Sequence, residues 1–141
     1  MRILVMGLSG TGKTTLARRL RDELDGVHLD ADVIRSLFND WDFSPEARLR
    51  SARRMSQLAQ VALWHNPFVI ADFICPTVET RDIFLPDFIV WMNTDDRCRY
   101  EDTNQLFQPP EPDSVDFEVS TKDVDRWLPL IVAKLRNQNV T

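Results

Sequence analysis

The chain is short of several things, and each shortage excludes something. Two cysteines in 141 residues, Cys75 and Cys98, are too few for a disulfide framework and form no C-x-x-C pair, so two reduced, partly buried thiols are expected. No apolar run approaches the roughly 20 residues that a bilayer demands. The N-terminal run stops at Met6, so neither a signal peptide nor an anchor is read and a cytoplasmic location is expected. Positive charge is short as well: 17 Lys and Arg against 22 Asp and Glu leave a net charge of −5, which argues against a nucleic-acid partner. The two histidines, His28 and His65, are isolated and read as structural. Repeats and low-complexity segments are absent. What remains, 43% hydrophobic and 28% charged, fits one domain over residues 1–141.

Glycine is scarce too, at four residues, yet three of them fall within six positions. Gly7, Gly10 and Gly12 punctuate the run Gly7-Leu8-Ser9-Gly10-Thr11-Gly12-Lys13-Thr14-Thr15, which matches G-x-x-x-x-G-K-[ST]. It follows an apolar strand candidate, Ile3 to Met6, and opens a helix candidate beginning Thr14-Thr15-Leu16-Ala17. Glycines let successive N–H groups turn inward around phosphates, with a helix N-terminus behind them. Gly7 to Thr15 is therefore expected to bind a nucleoside triphosphate, with Lys13 on the β/γ oxygens and the Thr14 hydroxyl on Mg²⁺.

Four further apolar runs bounded by Pro, Asp or Asn read as buried strands: Val27 to Asp30, Pro67 to Ile74, Phe88 to Met92 and Phe117 to Val119. Helical spacing links Leu16 with Leu20; Met55, Leu58, Ala59 and Ala62; and Val124, Trp127, Leu128, Ile131 and Leu135. Alternation of the two kinds predicts an α/β chain with a doubly wound, five-stranded parallel sheet. Ligands of such sheets lie beyond the carboxyl ends of the strands, where Gly7, Asp30, Cys75 and Asn93 would gather.

Asp30-Ala31-Asp32 closes the second strand and leads straight into a helix carrying Arg35. Two carboxylates beside a phosphate loop can orient a metal-bound water and take the proton of an attacking hydroxyl. For Asp32 alone, a plain helix N-cap is the more economical reading. Asp42 to Arg48 reads as a turn into a helix that bears Arg48, Arg50, Arg53 and Arg54; Arg48 and Ser51 share a face suited to an anion, while Arg50 and Arg54 read as solvated.

Together these motifs resemble the adenylylsulfate (APS) kinase family. Its phosphate loop, Asp-Gly-Asp with a nearby Arg, Phe-Ser with a following Arg, double Arg and Ile-Ser-Pro are met by Gly7 to Thr15, Asp30-Ala31-Asp32 with Arg35, Phe43-Ser44 with Arg48, Arg53-Arg54, and Ile74-Cys75-Pro76 followed by Arg81-Asp82. The resemblance covers about the first 82 residues. It implies the P-loop, nucleoside-monophosphate-kinase-like fold and transfer of the γ-phosphate of ATP, with Mg²⁺, to a hydroxyl. It implies catalytic roles for Lys13, Asp30 and Asp32, a metal site at Thr14 and Asp30, and an acceptor pocket of Arg35, Phe43, Arg48 and Ser51 closed by Ile74, Cys75 and Pro76. The expected partners are ATP and a small hydroxyl-bearing acceptor, with no membrane and room for a homodimer.

The chain also departs from the family. Ser51 replaces an Asn, Cys75 a Ser, and Asp72 a small or hydroxyl residue; Asp72 reads equally as a magnesium-orienting carboxylate or as the buried partner of an Arg. Where the family has a basic lid, residues 100–116 are acidic and proline-rich: Tyr100 to Thr121 hold six acidic residues and no Lys or Arg, leaving Arg97 and Arg99 just upstream. A lid of that sign repels a second anion, so adenylylsulfate is expected to bind weakly. A kinase of a less anionic acceptor (sugar, antibiotic or modified nucleoside) is the alternative. A regulatory NTPase fits less well, because Thr94 stands where a guanine-reading N-K-x-D has its lysine.

Overall fold

The computed structural model describes residues 1–94 and 106–138. Arg97, Cys98, Arg99 and the acidic stretch through Gln105 lie outside them. The elements are β1 (Arg2–Met6), α1 (Lys13–Leu24), β2 (Val27–Asp30), α2 (Ala31–Phe38), α3 (Pro45–Ala62), β3 (Val69–Asp72), α4 (Val78–Phe84), β4 (Phe88–Met92), a 3₁₀ turn (Pro112–Ser114), β5 (Phe117–Val119) and α5 (Val124–Gln138). The five strands form one parallel sheet in the order β2-β3-β1-β4-β5.

Strand alternation divides the core into two layers. Ile3, Val5, Ile70, Phe88 and Val90 pack against Leu16 and Leu20 of α1 and Leu128, Ile131 and Leu135 of α5. Leu4, Met6, Val69 and Ala71 pack on the other face with Ile34 of α2, Ala52, Met55 and Ala59 of α3, and Phe84 of α4. Both faces are covered, as the continuous apolar runs of a parallel sheet require. Helices α3 and α4 start where the sequence provides a cap: Ser44 Oγ accepts from Ala47 N ahead of Pro45, and Thr77 and Thr80 form a reciprocal capping box.

Two details of the sequence reading change. The third strand is shorter than Pro67 to Ile74, because Phe73 bends away after pairing ends at Asp72. Helix α4, seven residues with a short apolar stripe, is not among the helices expected from the sequence. Among the described residues no helix is long and apolar enough to cross a membrane.

Candidate active site

Order β3-β1-β4 puts the turn after β1 at the centre of the sheet's carboxyl edge, where connections diverge to opposite sides. That turn is the phosphate loop. Gly7, Gly10 and Gly12 have φ of 150°, 82° and 96°, and a Cβ on Gly7 would lie 2.6 Å from the Met92 carbonyl oxygen, so Gly7 is fixed by backbone approach as well as by conformation. Thr11 Oγ1 donates to Leu8 O at 2.8 Å, and Thr94 Oγ1 donates to Thr11 O at 2.8 Å, tying the loop to the end of β4. Helix α1 begins on Gly12 with no side-chain cap, which leaves its first N–H groups for an incoming anion. Lys13 is 9% exposed, and its Nζ donates to Leu8 O at 2.8 Å, which folds the side chain back over the loop.

The carboxylates come next. Asp30 Oδ1 accepts from Asp32 N at 2.9 Å and, longer, from Val33 N at 3.5 Å. The helix cap is thus Asp30, and Asp32 sits in the first turn, reversing the assignment expected from sequence. No described side chain donates to Asp32; although the residue as a whole is exposed, partial desolvation of its carboxylate in the pocket, followed by the charges of Asp30 and Asp72, raises its pKa above the ordinary carboxylate value, and Lys13 and Arg35 pull the other way with less effect. Asp72 is in register with Asp30 across the β2–β3 pair and is 3% exposed. Its partner is His28, Nε2 to Oδ2 3.2 Å, and not an arginine; His28 is correspondingly no isolated structural residue. Thr14, Asp30, Asp32 and Asp72 line one pocket, an oxygen-rich set that fits a hard divalent cation.

Arginines shape the far side. Arg35 Nη1 donates to Asp40 O at 3.2 Å and Asp42 O at 3.1 Å, and Arg48 Nε donates to Phe43 O at 3.0 Å. Both guanidinium groups lie over the Phe43 ring, at 4.6 and 5.5 Å from its centroid. Arg50 and Arg54 are not simply solvated: both clasp Asp40, holding its carboxyl well below the usual carboxylate range, and Arg54 also covers Phe38 at 4.3 Å. Arg81 donates to the carbonyls of Cys75 (3.0 Å), Pro76 (3.3 Å) and Gln108 (2.6 Å), while Phe107 lies under its guanidinium at 5.4 Å. The downstream end of the acidic segment is thereby docked beside the pocket, and Leu106 lines it.

Cys75 is 1% exposed at a positive φ of 49°, its Sγ 3.6 Å from Thr80 Oγ1. Burial pushes its thiol up to about 12, so almost no thiolate forms at neutral pH. Iodoacetamide at pH 8 is therefore expected to leave the Cys75 peptide unmodified in the folded protein and to alkylate it fully in denaturant. Peptide mass mapping checks this, and modification of the native protein at the denatured rate contradicts the burial.

The phosphate loop, the three carboxylates, Arg35, Phe43, Arg48 and Cys75 border one pocket of about 1160 Å³. Residues 1–108 match the family described as adenylylsulphate kinase, which is more than half of the chain. The chain belongs to the adenylylsulphate kinase family. A probable adenylyl-sulfate kinase of Pseudomonas aeruginosa is 40% identical over 82 residues, 54% of this chain and 38% of that protein. An adenylyl-sulfate kinase of Prochlorococcus marinus is 28% identical over 165 residues, covering 95% of this chain and 82% of its own length. Against several such relatives the chain spans only about two fifths of their length. The Mycobacterium tuberculosis APS kinase solved with AMPPNP and APS superposes with a TM-score of 0.71 at 20% identity, covering 96% of both chains, which shows the shared P-loop kinase fold.

Of the residues expected from the family resemblance, Ser9, Gly10, Gly12, Lys13, Thr14, Thr15, Asp30, Asp32, Arg35, Phe43, Arg48, Ser51, Ile74, Cys75 and Pro76 all line the pocket. Gly7 and Thr11 do not; they build the loop from behind. Trp41, Pro45, Phe73 and Thr80 also line it and were missed. Half-exposed Trp41 sits two residues before Phe43 in an aromatic pair that could have signalled a ring-binding wall. A smaller hollow of about 120 Å³, bounded by Gly12, Thr15, Lys122 and Trp127, opens behind the loop.

Proposed function

We propose that this chain is an ATP-dependent kinase that transfers the γ-phosphoryl group to a hydroxyl of adenylylsulfate. The observation that carries the reading is the stacking of Arg35 and Arg48 on one Phe43 ring, in the same pocket as the phosphate loop and three carboxylates. A half-exposed ring backed by two cations suits an electron-rich base on its open face and an anionic group at its edge.

In this reading Gly10 to Thr15 cradle the triphosphate and Lys13 meets the oxygens that gain charge during transfer. Thr14 and Asp30 would hold Mg²⁺, which would supply positive charge against the triphosphate during transfer. Asp32 receives the proton of the attacking hydroxyl as its oxygen bonds to phosphorus and the bond to the β-phosphate oxygen breaks. What supports this division is that one oxygen of Asp30 is held by the helix N–H groups it caps, whereas Asp32 stands in the pocket without a described donor. Arg35 and Arg48 orient the acceptor, and closure by Ile74, Cys75 and Pro76 excludes water on the far side.

Scarcity of positive charge in residues 100–121 bears on affinity. Losing two charge-assisted hydrogen bonds weakens anion binding by about 3 to 6 kcal/mol, so adenylylsulfate is expected to turn over with a high KM. The same scarcity favours, as the second reading, a less anionic hydroxyl acceptor. ATP consumption measured against adenylylsulfate and a panel of neutral sugars and nucleosides separates them. Stimulation by adenylylsulfate alone supports the proposal; stimulation by a neutral acceptor with none by adenylylsulfate overturns it in favour of the second reading.

A further inference from the structure

His28, Asp30 and Asp72 stand together at the ends of β2 and β3, each offering one ligand atom, with all three atoms within 4.8 Å of one another. Opposite ligands of an ion with bonds near 2.1 Å lie about 4.2 Å apart and adjacent ones about 3 Å, so the group needs a closure of only about half an ångström. The His28 to Asp72 separation, 3.2 Å, is already that of adjacent ligands.

Two features show that a positive charge is wanted there. Asp30 and Asp72 are direct cross-strand neighbours, and like charges so placed repel. The Asp72 side chain is 97% buried, yet among the described residues it has no partner outside the group, and no Lys or Arg lies within ion-pair distance of it. Asp30 and Asp72 both border the pocket, which provides an entry path, and His28, with a side chain 7% exposed, closes the back. Nε2 is the ring nitrogen of His28 that faces the Asp72 carboxylate. Imidazole with two carboxylates suits borderline transition ions, whereas Mg²⁺ prefers an all-oxygen shell that keeps several waters.

We infer that His28, Asp30 and Asp72 form a binding site for a divalent transition-metal ion, of the Mn²⁺, Co²⁺ or Zn²⁺ kind, that fills without nucleotide. The site shares Asp30 with the magnesium site proposed above, but its test contains no ATP, so either reading can fail alone.

The experiment uses the full, tag-free chain and metal alone. Co²⁺ titration is expected to produce visible d–d bands that saturate at one equivalent, and pulsed EPR of the Mn²⁺ form is expected to show coupling to one imidazole nitrogen. Mg²⁺ at the same concentration should not displace either ion. His28→Gln and Asp72→Asn should each weaken binding at least a hundredfold, beyond the tenfold to hundredfold usual for outer-shell changes, with His28→Gln abolishing the nitrogen coupling. The EPR signature in the unmodified protein decides the matter if a variant does not fold. Absence of binding without nucleotide, binding without nitrogen coupling, or nitrogen coupling that survives His28→Gln overturns the site.

Discussion

Lys13→Ala is expected to slow phosphoryl transfer at least a hundredfold, about 3 kcal/mol, while the protein stays folded. Lys13 is the first residue of α1, buried to 9% exposure, with its ammonium drawn over the loop by the Leu8 carbonyl. A charge held in that place before phosphate arrives requires little reorganisation as the transition state forms, which is why its removal acts on rate. The fold has little stake in it: the loop is fixed by Gly7 against Met92, by Thr11 to Leu8, and by Thr94 to Thr11. Circular dichroism and a turnover assay together check the result. A folded variant with near-normal transfer contradicts the assigned role.

Asp32→Asn is expected to lower kcat by about 10² to 10⁴, with ATP affinity changing far less. Asparagine keeps the shape and removes the proton-accepting charge. Asp30→Asn provides the contrast, since asparagine caps a helix as well as aspartate does and α2 should persist. Its loss should appear mainly as a higher Mg²⁺ requirement. If Asp32→Asn instead loses ATP binding and turnover in equal measure, Asp32 is a binding residue and the proton goes elsewhere. If Asp30→Asn reproduces the Asp32 pattern, the two roles are exchanged.

Local information made half of this site legible. The phosphate loop is nine consecutive residues whose glycines, lysine and threonine have fixed duties, so spacing alone placed it between β1 and α1. The central strands were readable because both faces of the sheet are covered there and their runs are largely apolar. Caps were less legible: Asp30 and Asp32 are both adjacent to the helix start, and only backbone geometry shows which carboxylate turns back onto the N–H groups. Pairings distant in sequence were invisible. His28 meets Asp72 across 44 residues through strand register, and Arg81 holds Gln108 across 27. Asp40 is claimed by Arg50 and Arg54 because α3 runs back alongside the loop that follows α2, a fact of packing with no mark in the local pattern. The short helix α4 carries too few turns for periodicity to register.

The wall proposed for the acceptor follows the same division. Phe43, Arg48 and Ser51 could be assigned from family resemblance, whereas Trp41 lies in the loop after α2, Phe73 just past the end of β3 and Thr80 in the first turn of α4. Docking of Phe107 and Gln108 on Arg81 likewise links the end of the acidic segment to the Cys75-Pro76 turn, a contact that charge pattern alone argues against.

The central claim is that this pocket moves the γ-phosphoryl group of ATP onto an adenylylsulfate hydroxyl. Incubation with γ-labelled ATP, Mg²⁺ and adenylylsulfate, followed by separation of the products, tests it directly. The account predicts label on the phosphorylated acceptor in amounts equal to the ADP formed, abolished by Lys13→Ala. Label released only as inorganic phosphate, or ATP left unconsumed at saturating adenylylsulfate, would contradict it.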